Sequence, residues 1–325
     1  LVPAKHGREQ MPLKGKGFDR MDDEVTYTAS MDGKIEMQND RIVVLPVHEV
    51  SGNAELAEGN IDFRGDIVIH GNVESGVNIR ATGSITIDGV AEACMLEAGK
   101  DIILRGGMLG GNKASVKTKG AITAKFFEFT NILCEGDLQA DVLMDCSVIC
   151  HGQIRLTGRK GSIIGGKVQA IRGLIATSLG NDAEKRTEIF VGAGIDVYSR
   201  LRVMEKKIEM TREELAKIEE GLEKFEILSK ERGVSYTNDP RRTSLLRIKI
   251  KDSAILASDE EEVRKLRILA ESSKGACVSV LQEIYPGVVI NMDELKLALK
   301  NMATGVEFYK LPDKIGTRPC SAGVE

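Results

Sequence analysis

Between residues 59 and 170, short runs of alternating apolar and polar positions recur around a common corner. Seven segments align on Gly65, Gly83, Lys100, Gly120, Gly136, Gly152 and Gly166. Two and four places after each anchor stand Ile67 and Ile69, Ile85 and Ile87, Ile102 and Leu104, Ile122 and Ala124, Leu138 and Ala140, Ile154 and Leu156, and Val168 and Ala170. Four places before stand Ile61, Ile79, Leu96, Val116, Ile132 and Val148, with Ser162 out of pattern. Period two is the signature of a strand with one buried face, and repetition at a near-constant interval is that of stacked coils. The pattern predicts a parallel β-helix whose coils bury their inward faces only against their neighbours.

Successive anchors lie 18, 17, 20, 16, 16 and 14 residues apart. A left-handed hexapeptide β-helix keeps a strict period, so the irregular spacing and the general handedness of parallel connections predict a right-handed coil. Acyltransferases built on the left-handed form need a catalytic histidine. Of His6, His48, His70 and His151, two lie outside the repeat. Glycine at six of the seven anchors implies a corner with either positive φ or a close backbone approach, and Gly99 takes that place beside Lys100. These glycines sit between strands rather than at the start of a helix, so they do not form a phosphate loop.

Beyond the rod the period changes. Leu201, Met204, Ile208, Thr211, Leu215, Ile218, Leu222 and Phe225 fall at alternating steps of three and four, and Glu213/Lys217, Glu220/Lys224 and Glu226/Lys230 are spaced to pair along one helix. Residues 233–243 break the helix, and 244–273 resume it through Val263, Leu266 and Ala270, with Asp252 and Ser258–Asp259 weakening the stripe. The expectation is an antiparallel coiled-coil hairpin inserted into the rod, because strand patterns return at Val278, Val280 and residues 284–290, with a last strand at Val306, Phe308 and Tyr309. Ahead of the rod, Val25, Tyr27 and Ala29 alternate, Asp32–Gly33 reads as a hairpin turn, and residues 34–37 and 41–47 continue as strands covering the first coil. The class is therefore mainly β with an α insertion. Its division is 1–50 linker and small β-element, 51–197 β-helix, 198–275 hairpin, and 276–325 return strands and tail.

Composition narrows the function. Forty-two per cent hydrophobic residues in 325, with no Trp and only 8 Phe and 5 Tyr, suit coils filled by aliphatic side chains. A net charge of −4 gives no general attraction for nucleic acid, and no apolar run suggests membrane insertion or a signal peptide. A cytoplasmic protein is expected. Residues 1–16, rich in Lys, Gly and Pro and without an initial Met, read as a linker from an upstream segment. Six cysteines occur without a CxxC, and Cys134 and Cys150 share an inward phase, so they read as small buried hydrophobes rather than zinc ligands, Cys146 and His151 notwithstanding.

The strand pair at 29–44, the block Gly-Asp-Ile-Val-Ile-His-Gly-Asn-Val at 65–73, Gly-Gly-Met-Leu-Gly-Gly at 106–111, the charged hairpin and Ile-Tyr-Pro-Gly-Val at 284–288 together resemble the flagellar assembly protein A family, long a bacterial domain of unknown function. The resemblance covers about residues 1–310. It implies a cytoplasmic scaffold that acts by binding other proteins, among them flagellar or polar-localisation factors, with a homodimer as one form. No catalytic, metal or cofactor residue is assigned. The partner-contact candidates are Leu215, Ile218 and Leu222 on the first helix and Arg241 and Arg242 at the hairpin tip. Two alternatives stay open: a carbohydrate-active β-helix enzyme using outward Asp137, Asp141, Arg155 and Arg159, and a filament-forming β-helix.

Overall fold

The computed structural model describes residues 14–320 except 24, 32, 39–40, 159, 234 and 236–238. Its body is a β-solenoid of about eight turns, interrupted by two long helices. Each coil has three faces. On the first, Ile67, Ile85, Ile102, Ile122, Leu138 and Ile154 stack in register, all inward and fully buried. On the second, Ile79, Leu96, Val116, Ile132, Val148 and Val168 form the matching column. A third, short face, not anticipated from the alternation, adds one inward residue per coil: Met108, Phe127, Leu143, Ile163, Leu179 and Ile284.

The seventh repeat is corrected by this register. Val168 and Ala170 pair with Val148 and Cys150 and so lie before the corner, not after it. The true partners of Ile154 and Leu156 are Leu174 and Ala176, which makes Arg172 the seventh anchor. Gly166, with φ +76°, belongs to the corner between the third and second faces. There the chain takes left-handed backbone at Gly76, Ala93, Phe129 and Asp145 as well.

The anchor glycines have a different cause, a close approach between coils. Asp66, Asp101 and Asp137 each follow an anchor, and their Oδ1 atoms accept the N–H of Ser84, Ala121 and Gln153 one coil on, at 2.7–2.8 Å. A Cβ at Gly83, Gly120 or Gly152 would stand 2.0, 2.3 or 2.2 Å from those carboxylate oxygens. Where the preceding coil has Ser84 or Gln153 at the same place, the next anchor is Lys100 or Arg172. The carboxylate ladder thus accounts for Gly83, Gly120 and Gly152, whereas at Gly136, where the preceding coil has Ala121, a Cβ would meet the Gly120 carbonyl oxygen at 2.6 Å instead.

A second ladder runs along a corner of the first coils. Lys34 reaches Glu49 at 2.5 Å, His70 lies 2.9 Å from both Glu49 and Asp88, and Arg105 approaches Asp88 at 3.1 Å. Hydrogen bonds to Glu49 and then Asp88 raise the His70 pKa above its ordinary 6.5. The imidazolium thus contributes stability that is complete below about pH 6.5 and is lost as pH rises through the higher native value. An NMR titration of His70 is expected to show that raised pKa, and His70→Gln should flatten the decline in melting temperature between pH 6 and 8. A His70 midpoint at or below 6.5 would refute the coupling.

The two ends of the solenoid differ. Past the last parallel pairs, Cys277–Ile284 and Val288–Met292 are covered by antiparallel strands Ala303–Lys310 and Leu295–Ala298, and Ile315–Pro319 adds an outer strand. This closes the ladder by reversing direction. At the start, residues 15–45 form Phe18–Arg20 with Tyr27–Ala29 and Lys34–Gln38 with Arg41–Leu45, paired with one another and not with the first coil among the described residues. Gly33 therefore links two hairpins instead of turning one, and Asp32 lies outside the described residues.

Candidate functional site: the helical arm and the cleft at its root

Two helices, α1 (Gly194–Arg232) and α2 (Pro240–Ser272), are inserted between coil strands. Leu174–Leu179 pairs in parallel with Cys277–Ile284 across the insertion, so both roots of the arm sit on the last coils. At about 1.5 Å per residue the 39 residues of α1 span roughly 58 Å. Its end is set by Gly233 in left-handed conformation. Asp239 caps α2 by accepting the Arg241 N–H at 2.7 Å, with Pro240 at the first helical position.

The helices run antiparallel, held by Glu205–Arg267 at 2.6 Å, Lys207–Asp259 at 2.7 Å, Arg212–Glu260 at 2.5 Å and Glu219–Lys249 at 2.8 Å. The expected pairs along α1, Glu213/Lys217, Glu220/Lys224 and Glu226/Lys230, do not form among the described residues. Charges on α1 pair across the arm, where the opposite sign stands on α2. The eight-residue stripe of α1 faces α2 throughout, and none of its members is exposed. On α2, Leu245, Lys249, Asp252, Leu256, Asp259, Val263, Leu266 and Ala270 keep steps of three and four. The stripe is thus regular, with Asp252 and the buried Asp259 on the seam. Such a residue fixes register at a cost in stability.

The contact candidates are distributed by this packing. Leu215 is buried beneath α2, Ile218 and Leu222 are half-buried, Arg241 is exposed at the tip and Arg242 is half-buried beside it. The three aliphatic side chains therefore serve the helix pair itself, which leaves Arg241 as the accessible member.

A cleft of about 550 Å³ opens where the arm leaves the solenoid, between Tyr198 of α1, residues 273–277 after α2, and the capping strands. Asp293, at φ +53°, points into it, accepts from Lys310 at 2.5 Å, and keeps its Oδ1 buried without a hydrogen-bond partner. That hydrogen bond raises the Lys310 pKa. Across the cleft, Arg318 donates to the buried Glu307 and stacks over the Tyr309 ring at 5.1 Å. Burial raises the Cys277 thiol, which holds it in its less nucleophilic form. The cleft presents paired charges and two phenol rings, a surface for holding polar groups. No spacing in the sequence marks these residues, since they come from separate strands and meet only at the cap.

Among the described residues the side chains of the enzyme alternative divide between two places, with Asp137 and Arg155 both flanking Gln153. Asp137 is committed to the carboxylate ladder and lies 3.6 Å from Arg172, Arg155 donates to Gln153, and Arg159 lies outside the described residues. Asp141 instead lines a separate 340 Å³ hollow with Glu128, Lys125, Lys160, Phe126 and Met144.

Four cysteines fill inward columns. Cys134 and Cys150 are in-register neighbours, with each Sγ near a backbone carbonyl, Gly120 at 3.3 Å and Gly136 at 3.2 Å. The adjoining Cys134 thiol and then burial raise the Cys150 pKa, while burial lifts Cys94 to about 12 and Cys146 to about 11. Among the described residues no group of three or more His, Cys, Asp or Glu is placed to hold a metal ion.

Fold and site together define a β-solenoid carrying a helical arm, whose prominent surfaces are an outer arm and a polar cleft. Residues 46–315 match the Flagellar Assembly Protein A β-solenoid domain. The chain belongs to that family, which links it to flagellar assembly. No curated protein and no solved structure matches it. Among the described residues, no helix is long and apolar enough to cross a membrane. The Tyr285-Pro286-Gly287 turn has a structural role: Tyr285 N–H bonds Leu179 O at 2.9 Å, and a Cβ on Gly287 would meet Glu184 O at 2.3 Å. It locks the last coil onto the one before.

Proposed function

We propose that the chain is a non-enzymatic interaction module of flagellar assembly or polar placement, acting in the cytoplasm by binding other proteins. The carrying observation is the arm. It is long, internally paired, and rooted on both sides of one coil joint, so it is displayed from a stiff base. The reading takes the solenoid as right-handed, following parallel connections in general. It assigns no cofactor, and its partners are proteins, a second copy of the chain included, rather than nucleic acid. The antiparallel closure of the C-terminal end counts against end-to-end filament growth there.

Replacing residues 198–275 by a short Gly/Ser bridge tests the reading. The bridged chain is expected to keep its β-sheet circular dichroism and to lose partners captured from the native host by the full chain. Retention of every partner and of the native oligomeric state would reject the arm as the recognition element. A carbohydrate-active reading would place its acid and base at Asp141 and Glu128, the two carboxylates of the 340 Å³ hollow. Polysaccharide cleavage abolished by Asp141→Asn would favour it over the present one.

A further inference from the structure

The two sides of the arm are unlike, and the ion pairs show how. On one side Glu205–Arg267 and Arg212–Glu260 match their charges across an open hollow of about 920 Å³ that also exposes Ile268. On the other, Val203, Met210, Lys217 and Lys224 recur every seven residues along α1, and Arg241, Ile248 and Ile255 do so along α2. Arg200, one turn before Val203, pairs with Glu262, seven residues after Ile255. That contact places both rows on the same side. The antiparallel register brings Met210 level with Ile255, and Lys217 level with Lys251, to within about one helical turn.

This side exposes aliphatic surface where a helix pair ordinarily shows polar residues. Val203 is 68% exposed, Met210 56%, Ile248 42% and Ile255 37%. Lys217, Lys224 and Lys251 are exposed among them and pair with no carboxylate among the described residues. The surface follows the shallow groove between two antiparallel helices, with apolar positions in a line, and among its exposed unpaired charges Lys217, Lys224 and Lys251 outnumber Glu214. A third helix fits such a groove through its own three-four stripe. The unmatched lysines fix the sign of its flanks.

We propose that this side of the arm binds an acidic amphipathic helix of a partner protein, completing a local three-helix bundle. The proposal rests on the arm being a recognition element. It names the partner's chemistry: an aliphatic stripe at three-four spacing flanked by Glu or Asp. A lipid surface is less suited, because the exposed aliphatic residues form a narrow line along a groove and not the wide apolar face that interfacial helices bury.

The probe is a synthetic helix of about 28 residues, long enough to span roughly 40 Å, with Leu on the stripe and Glu on the flanks. It is titrated against the full chain by fluorescence anisotropy, beside a counterpart with Lys flanks and vesicles of equimolar phosphatidylglycerol and phosphatidylcholine. The Glu-flanked peptide is expected to bind, to weaken with added salt, and to lose about tenfold or more in affinity, ~1.4 kcal/mol, with Met210→Glu or Ile248→Glu. Ile250→Glu, two residues on and turned to the other side, should leave binding unchanged, and helical circular dichroism confirms that each variant folds. Equal binding of the Lys-flanked peptide, equal loss with Ile250→Glu, or vesicle binding through Met210 without peptide binding would overturn the proposal. If the peptide fails to bind while the bridged chain still loses its partners, the recognition role stands and the helix-docking inference falls.

Discussion

Replacing Ile122 with aspartate is expected to unfold the solenoid, with loss of its β-sheet circular dichroism signal and a soluble yield near zero. Ile122 is fully buried, stacked between Ile102 and Leu138, and its N–H is bonded to Asp137 O at 2.9 Å. A carboxylate there has no cation within the coil. The carboxyl would be driven to protonate, and that cost adds to an unpartnered polar group and to the lost burial of a whole isoleucine side chain, together several kcal/mol, when a whole domain holds only about 5–15 kcal/mol. Because each coil supplies the wall of the next, damage at the fourth corner propagates both ways along the rod. Thr123→Asp, one residue on and exposed, should melt within a few degrees of the parent chain. An Ile122→Asp chain with unchanged melting would show that this position does not face inward.

Gly120→Val is expected to cost about 3 kcal/mol, combining overpacking with the loss of a coil-to-coil hydrogen bond. A Cβ at Gly120 would lie 2.3 Å from Asp101 Oδ1 and 2.7 Å from the Lys100 carbonyl carbon. The carboxylate cannot retreat without releasing the Ala121 N–H, which it holds at 2.7 Å. Arg172→Ala, at the same corner three coils later, should change stability by no more than about 0.5 kcal/mol, since its ion pair with Asp137 is exposed and weak. Urea unfolding of the two variants measures the contrast. Equal losses would mean that the glycines answer to something other than the carboxylate ladder.

Much of this architecture is legible in the residues because the solenoid writes its geometry once per coil. Alternation gives the inward faces, and the step from period two to steps of three and four marks the arm. The seventh repeat misleads because Val168 and Ala170 are apolar in the same phase as a post-corner pair, and Gly166 imitates an anchor while serving another corner. Ser162, out of pattern four places before Gly166, is the residue that betrays the wrong register. The second helix hides its stripe for a different reason: Lys249, Asp252 and Asp259 occupy seam positions, and hydrophobicity alone cannot show a seam that contains ions. The root cleft is not legible at all. Asp293, Glu307, Lys310 and Arg318 are brought together by antiparallel reversals that leave no repeat in the chain.

The insertion also governs the order in which the molecule can assemble. Ile154 meets Leu174 after 20 residues, but Leu174 meets Val278 only after 104. Treated as a flexible loop, that longer closure costs about 1.5 kcal/mol more than the shorter one. Zippering of α1 onto α2 removes the penalty, because a formed hairpin returns the chain to the point from which it left. Earlier coils can therefore stack as they emerge from the ribosome, whereas the final coil and its antiparallel lid wait for both helices. In this sense the arm is a splint for the end of the rod during synthesis, before it is available to any partner.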